Sequence, residues 1–272
     1  MRNSKEPSPQ KKTRSFEKNE RSIKMLAIYK KEMRSYFANP VGYVFAGIFL
    51  LFAALLCSYT TILVKSYDTS TYFMMMVLAL VILIPVLTMR LFSEERKMRT
   101  EQLLLTAPVS LTGMVLGKFF AAFTLFAASI ACSCINFIPL YVIAAGEKAN
   151  LGYDTTNIGP VTAQIIGCLI GLLLIGAAFI AIGTFISSLT ENQLAAAIIT
   201  IAVLIGFVGI GLLADFIDVY AIRLVLAWIS VLGRFTNFGK GVLDVGSIVY
   251  FVSLAFVFLF LTVRVYEKRR WS

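Results

Sequence analysis

Six long apolar runs separated by short polar stretches set the pattern of this chain, at about 41–64, 71–92, 113–145, 159–188, 192–214 and 245–265. Each is long enough to cross a hydrocarbon layer as a helix, which takes about 20 residues. Pro85 falls near the inner end of the second run. The third is longer than a crossing needs, and Pro139 ends or kinks it near the outer surface. The pattern predicts an all-α polytopic membrane protein with six transmembrane helices.

The remaining stretches read differently. Residues 1–20 are polar and hold two prolines, the pattern of a disordered basic cytoplasmic tail; no apolar core follows a basic start as in a signal peptide. Residues 21–38 predict an N-terminal interfacial helix. Met25, Leu26, Tyr29, Met33, Tyr36 and Phe37 share an arc of about 120° at about 100° per residue. Lys24, Lys31 and Arg34 lie outside that arc and Lys30 near its edge, on the wet face. Asn39-Pro40 ends this helix, and Pro40 suits the first position of the next. Between the fifth and sixth runs, 215–244 is too apolar for a free loop. Ile222, Leu224, Val225, Leu226, Trp228 and Ile229 fill about half a bilayer's length, which predicts a re-entrant or interfacial hairpin on the outer side, closed by Gly233 and Gly239. Residues 21–272 thus form one membrane domain.

Composition supports this. The chain is 58% hydrophobic and 15% charged, with a mean hydropathy of +0.82, against about 25% charged in soluble domains. A net charge of +10 would suggest nucleic acid on a soluble protein; beside spanning segments it sets orientation and meets membrane lipids, with no nucleic-acid partner expected. Of the 25 lysines and arginines, 20 fall in the N-terminal region, 90–118 and the C-terminus. That places both termini in the cytoplasm of a multi-pass cell-membrane protein.

Chemistry is sparse. There is no histidine, the commonest general base and metal ligand, and no paired acids lie within a span. No catalytic, cofactor or metal site is expected. Cys57, Cys132, Cys134 and Cys168 all sit in apolar runs and read as buried thiols filling space. Arg90 and Lys118 flank the inner ends of spans, so no charge lies deep in the bilayer, which argues against a proton- or sodium-coupled carrier. Asn136 and Gln164 are the candidate path-lining amides, with Asn192 and Gln193 at the edge of the fifth run. Gly167, Gly171, Gly176, Gly206, Gly209 and Gly211 let helices approach closely.

The segment 93–109 stands apart. Glu94 and Glu95 open it, Arg96, Lys97 and Arg99 follow, Leu103, Leu104 and Leu105 make its far end apolar, and Ala107-Pro108 stops it. Glu94 with Lys97 and Glu95 with Arg99 have helical pairing distances, so a helix of roughly three turns is expected. Such an element can dock in a groove of a soluble partner, leucines filling a pocket and charges fixing register. It also fits a solvated connector, and the residues alone leave both open.

Phe92-Ser-Glu-Glu-Arg-Lys97, then Thr100, then Leu103 to Ser110, resembles the first cytoplasmic loop of ABC-2 type transporter permeases, most of all the copper-enzyme-maturation and gliding-motility-associated branch. Ile186 to Gln193 resembles that family's second cytoplasmic turn; Arg234 to Gly241, Val249 to Phe251 and Glu267 to Trp271 resemble its outer segment and last span. The resemblance covers about 21–272. The family usually has glycine where Arg99 stands and often glutamate where Gln102 stands, with Glu101 one position away.

The resemblance implies a permease that forms a translocation path with a second permease subunit, identical or related, and is driven by a separate ATP-binding-cassette ATPase subunit carrying ATP and Mg. The implied docking residues are Glu94, Glu95, Arg96, Lys97, Thr100, Glu101, Gln102, Leu103, Leu104, Leu105 and Pro108, with Ser187, Ser188, Glu191 and Asn192 in the second turn. No G-x-x-x-x-G-K-[ST] phosphate loop occurs in the chain, which fits ATP hydrolysis elsewhere. Export is the implied direction. The alternative is a non-transporting membrane module that recruits or assembles partner proteins.

Overall fold

A computed structural model describes residues 25–64, 66–99, 110–151, 159–213, 223, 226, 228–241 and 244–271. The expected 1–20 tail and the stretch 100–109 lie outside them, as does most of 214–227. The described residues are helical throughout their ordered elements, with no strand. Helix α1 covers 25–38. Then come α2 (Pro40–Cys57, prolonged by a π-helical turn Ser58–Ile62), α3 (Ser70–Thr88), α4 (Ser93–Lys97) and α5 (Leu111–Ser133). A 3-10 turn at Cys134–Phe137 leads into α6 (Ile138–Leu151), followed by α7 (Thr162–Leu189), α8 (Gln193–Leu213), α9 (Val231–Gly239) and α10 (Val245–Trp271).

Six helices are long and apolar enough to cross a membrane, at Pro40–Ile62, Ser70–Lys97, Leu111–Glu147, Thr162–Leu189, Gln193–Gly211 and Val245–Arg270. They follow the six apolar runs. Local chemistry sets their ends. Pro40 opens α2, where its missing N–H costs nothing. The Ser110 hydroxyl accepts from the Gly113 N–H (3.3 Å) to start α5. The Asp244 carboxylate accepts from the Gly246 and Ser247 N–H groups (3.0 and 3.2 Å) to start α10. The Ser247 hydroxyl, and then those N–H groups, hold the Asp244 carboxyl below its ordinary range. Pro139 comes just after the 3-10 turn in the third crossing, as the second residue of α6, so the helix continues past it.

Helix α7 is the axis of the bundle. It packs against α3, α5, α8, α9 and α10. Two thirds (67%) of its most apolar stretch is buried, against 28% in α2 and α8 and 22% in α10. Small residues make this possible. A Cβ at Gly176 would overlap the Phe126 ring of α5, one at Gly183 the Thr88 hydroxyl of α3, and one at Gly171 would press on Phe235 and Phe238 of α9 at 3.0 Å. The expectation of close approach holds for Gly167, Gly171, Gly176 and Gly211. It does not hold for Gly206 and Gly209, which face open space on the outer side of α8.

The ends of the bundle differ in character. At one, α1, α4, the 189–193 turn and the end of α10 gather. At the other, Gln164 at the start of α7 ties the loop before α3 to the end of α9. Its amide nitrogen lies 2.9 Å from Asp68 Oδ1, 2.5 Å from Ser70 Oγ and 2.9 Å from the Gly239 carbonyl. The Ser70 hydroxyl and N–H, with Gln164 adding to them, hold the Asp68 carboxyl below its usual range. The described part of the 215–244 stretch is a helix seated on α3, α7 and α8, with Val231, Leu232, Phe235 and Phe238 buried. Gly233 does not close it. It lies inside α9, its N–H capped by the Ser230 hydroxyl at 2.9 Å, and the turn falls at Gly241, where φ is +74°. The cysteines are free thiols, and Cys132 is exposed on the bundle's surface instead of filling its interior.

The two classes of glycine predict opposite behaviour. Gly176→Ala forces the Phe126 ring out of its seat and costs about 1–3 kcal/mol, seen as a lower thermal midpoint in detergent. Gly206→Ala leaves the midpoint unchanged or raises it, since helix propensity is gained without a clash.

Candidate functional site

The charged stretch and the second turn, far apart in sequence, meet at the charged end of the bundle. The chain leaves α3 through Met89 and Arg90 and enters α4 at Ser93. This join is buried, and its backbone polar groups need partners. Ser187, near the end of α7, supplies them. Its hydroxyl accepts from the Phe92 and Ser93 N–H groups (3.2 and 3.3 Å) and donates to the Met89 carbonyl (3.2 Å). The Ser93 hydroxyl donates to the same carbonyl. Arg96 extends the contact, donating to the Leu189 carbonyl (2.9 Å) and pairing with Glu191 (2.8 Å). Arg269 of α10 donates to the Ser188 carbonyl at 2.7 Å. Asn192 turns the chain into α8, its side chain accepting from the Leu194 N–H at 3.0 Å.

A buried lysine closes the other flank. Lys118, in the second turn of α5, has a side chain only 2% exposed. Its ammonium has three N–H donors, and three acceptors surround it: Glu32 of α1 at 3.1 Å, Glu95 of α4 at 2.9 Å and the Leu91 carbonyl at 2.6 Å. The Phe92 ring lies 4.9 Å from the nitrogen and also 4.9 Å from the Tyr266 ring of α10. Glu95 reaches Lys31 of α1 as well, at 3.5 Å. Beside it, Arg90 grips Glu94 with two bonds of 2.8 and 2.7 Å, the forked geometry that fixes both side chains.

These contacts revise several expectations. Lys118 is not a wet flank of its span but the buried centre of an ion-pair cluster. Glu94 and Glu95 turn to Arg90 and Lys118, so they do not serve a run of helical pairs with Lys97 and Arg99. Helix α4 is a short turn of helix and stops at Lys97, because Met98 and Arg99 form a turn in which Arg99 takes φ 56°. The exposed residues of the described segment are Lys97, Met98 and Arg99. Thr100, Glu101, Gln102, Leu103, Leu104, Leu105 and Pro108 lie outside the described residues. Glu32 is not marked out by sequence, because it sits among lysines beside the apolar arc of its helix. Its spacing from Ile28, Tyr29 and Tyr36 is the signal that places it on the packed face. Gln164 and Asn136 are half-buried at the opposite end; Gln164 makes the tie described above, and the Asn136 carbonyl accepts from the Cys57 thiol at 3.5 Å.

The family model for ABC-2 family transporter proteins matches residues 60–266, which include the charged join, the second turn and four of the six candidate spans in full. The chain belongs to the ABC-2 transporter family. It is a membrane subunit of an ABC transporter. No curated protein matches it. Arg99 of this permease adopts a left-handed backbone, the conformation that favours glycine. Among the described residues, no group of three or more Cys, Asp or Glu side chains is placed to hold a metal ion.

Two outcomes follow from the geometry. Lys118→Met leaves Glu32 and Glu95 buried against an apolar side chain and lowers stability by about 3–5 kcal/mol. Neutralising all three groups together (Glu32→Gln, Lys118→Met, Glu95→Gln) recovers much of that loss in the same thermal assay. Arg99→Gly keeps the thermal midpoint or raises it, whereas Arg99→Val, with a branched Cβ at positive φ, costs about 1–2 kcal/mol.

Proposed function

We propose that this permease is an exporter subunit that pairs with a second permease subunit, identical or related, to form the translocation path. A separate ATP-binding-cassette ATPase, carrying ATP and Mg, docks on the 93–109 segment. In this reading the charged end of the bundle faces the cytoplasm and both termini lie there, in the cell membrane. The family resemblance supplies the scheme, and the basic bias of that end supports the orientation.

The observation that carries the reading is the anchoring of α4. One short helix is held to α3 and α7 through Ser187, to α5 and α1 through Lys118, and to the 189–191 turn through Arg96. A displacement delivered to the segment therefore reaches several spans at once, which is what a coupling element requires. Glu94, Glu95 and Arg96 act as the fixed root of this element. Lys97, Met98 and the residues beyond them are the surface offered to the ATPase.

The test is co-purification. The chain, isolated in mild detergent from its own cells, brings down a stoichiometric subunit with a phosphate loop, identified by mass spectrometry, and the eluate hydrolyses ATP. Met98→Asp and Lys97→Glu, both at exposed positions, lower that recovery by an order of magnitude or more while the thermal midpoint holds, because a charge inserted at a docking surface costs about 2 kcal/mol or more. A permease that purifies without any ATPase favours the recruiting module instead.

A further inference from the structure

Helix α1 has a face that neither the bundle nor the proposed coupling explains. At about 100° per residue its positions fall into four sectors. Ile28, Tyr29, Glu32 and Tyr36 form the packed one, with the Tyr29 hydroxyl donating to Thr124 (3.2 Å) and Glu32 reaching Lys118. About a quarter-turn away on one side, Leu26 and Phe37 are exposed at 49% and 48%. On the other side, Lys31 leans toward Glu95 of α4. Opposite the packed face, Lys30, Lys31 and Arg34 line an open concavity with Ala27, Ser35 and Ala38.

The order of these sectors fixes what the basic face meets. Helix α1 runs through Asn39 directly into the first span, so it lies at the level where the hydrocarbon ends. Leu26 and Phe37, about half exposed and apolar, with Phe37 edge-on to Tyr43 of the first span, make the edge suited to hydrocarbon. Glu95 and α4 mark the aqueous side. Lys30 and Arg34 sit between the two and point away from the protein, at the height of lipid headgroups. Neither makes an ion pair among the described residues, while Lys31, 62% exposed, is held only loosely by Glu95 at 3.5 Å. Three cations on one face between a lipid-facing edge and a wet edge match a negatively charged phosphate ester and not an apolar partner.

We propose that Lys30, Lys31 and Arg34 form a binding site for the headgroup of an anionic phospholipid. The phosphate sits between Lys30 and Arg34, and Lys31 is shared between the lipid and Glu95. Lipid occupancy thereby bears on the buried cluster, since a phosphate that draws Lys31 away leaves Glu95 to Lys118. This rests on the membrane-spanning fold and not on the ATPase partnership.

The experiment uses the full chain in detergent equilibrated with mixed phosphatidylglycerol and phosphatidylcholine, with retained lipid counted by native mass spectrometry. Phosphatidylglycerol is retained in preference on the unaltered protein. Lys30→Gln and Arg34→Gln each weaken that retention by about five-fold, while Lys240→Gln, an exposed cation at the opposite end, leaves it unchanged. The thermal midpoint of each variant confirms the fold. Equal retention of the two lipids, or equal losses with Lys240→Gln, overturns the site. Displacement of the lipid by millimolar inorganic phosphate alone overturns it too, by making it a general anion site. Loss of a co-purifying protein from the Lys30 and Arg34 variants with lipid retention intact overturns it in favour of a protein contact.

Discussion

One ammonium group withdrawn from water shapes the charged end of this permease. A lysine buried to the degree of Lys118 is tolerated only where its charge and all three donors are met, because an uncompensated buried ion costs several kcal/mol. The three acceptors come from three places in the chain: Glu32 on α1, the Leu91 carbonyl after α3 and Glu95 on α4. The lysine therefore acts as a geometric condition more than as a source of net stability. It specifies where a helix, the turn after α3 and a short helical turn stand relative to α5. Ser187 does the same from the side of α7 with neutral groups, feeding two orphan N–H groups and one carbonyl. Neither device needs many residues, and both are placed where the chain must leave the apolar layer and turn.

The bundle behind this end follows a different rule. Among helices in lipid, apolar surface alone gives little preference for one neighbour over another, and close packing decides. Helix α7 meets neighbours on several sides because its glycines let rings and hydroxyls of other helices reach its backbone. Phe126, Phe235, Phe238 and Thr88 occupy places that a Cβ would fill. The charged cluster and the glycine seams thus share one helix bundle but depend on opposite terms, electrostatic satisfaction at the end and dispersion along the middle.

That division explains what could be read beforehand. The six crossings were legible because length and apolarity are properties of single runs, and the start at Pro40 is a property of a single residue. The join of 92–96 with 187–191 was half legible: each stretch drew notice, but their meeting is a tertiary fact. Lys118 misled because in one dimension it stands at a span's edge. In three dimensions α1 and α4 cover that edge and turn it into an interior, about 10 Å along α5 from its start. Gly206 and Gly209 misled for the converse reason, since a small residue announces close packing only if a neighbour lies on its side of the helix. The pairs expected within 93–99 gave way because Arg90 and Lys118 offer those carboxylates better-oriented and less solvated partners than an exposed helix surface does.

Arg99 shows how the anchored and exposed parts of the segment divide. Up to Lys97 the backbone is helical, and the side chains of Glu94, Glu95 and Arg96 are committed to the bundle. At Arg99 the backbone turns to φ 56°, a conformation that a residue with a Cβ adopts at a cost of about 1–2 kcal/mol. A continuous helix would have made the segment one rigid rod from root to tip. The turn instead separates a root fixed by ion pairs from the exposed Lys97, Met98 and Arg99. Under the proposed coupling role this is a useful division: the outer part can be shaped for a partner without disturbing the contacts that hold the root to the bundle. The buried cluster holds the root in place, and the strained Arg99 marks where the root ends.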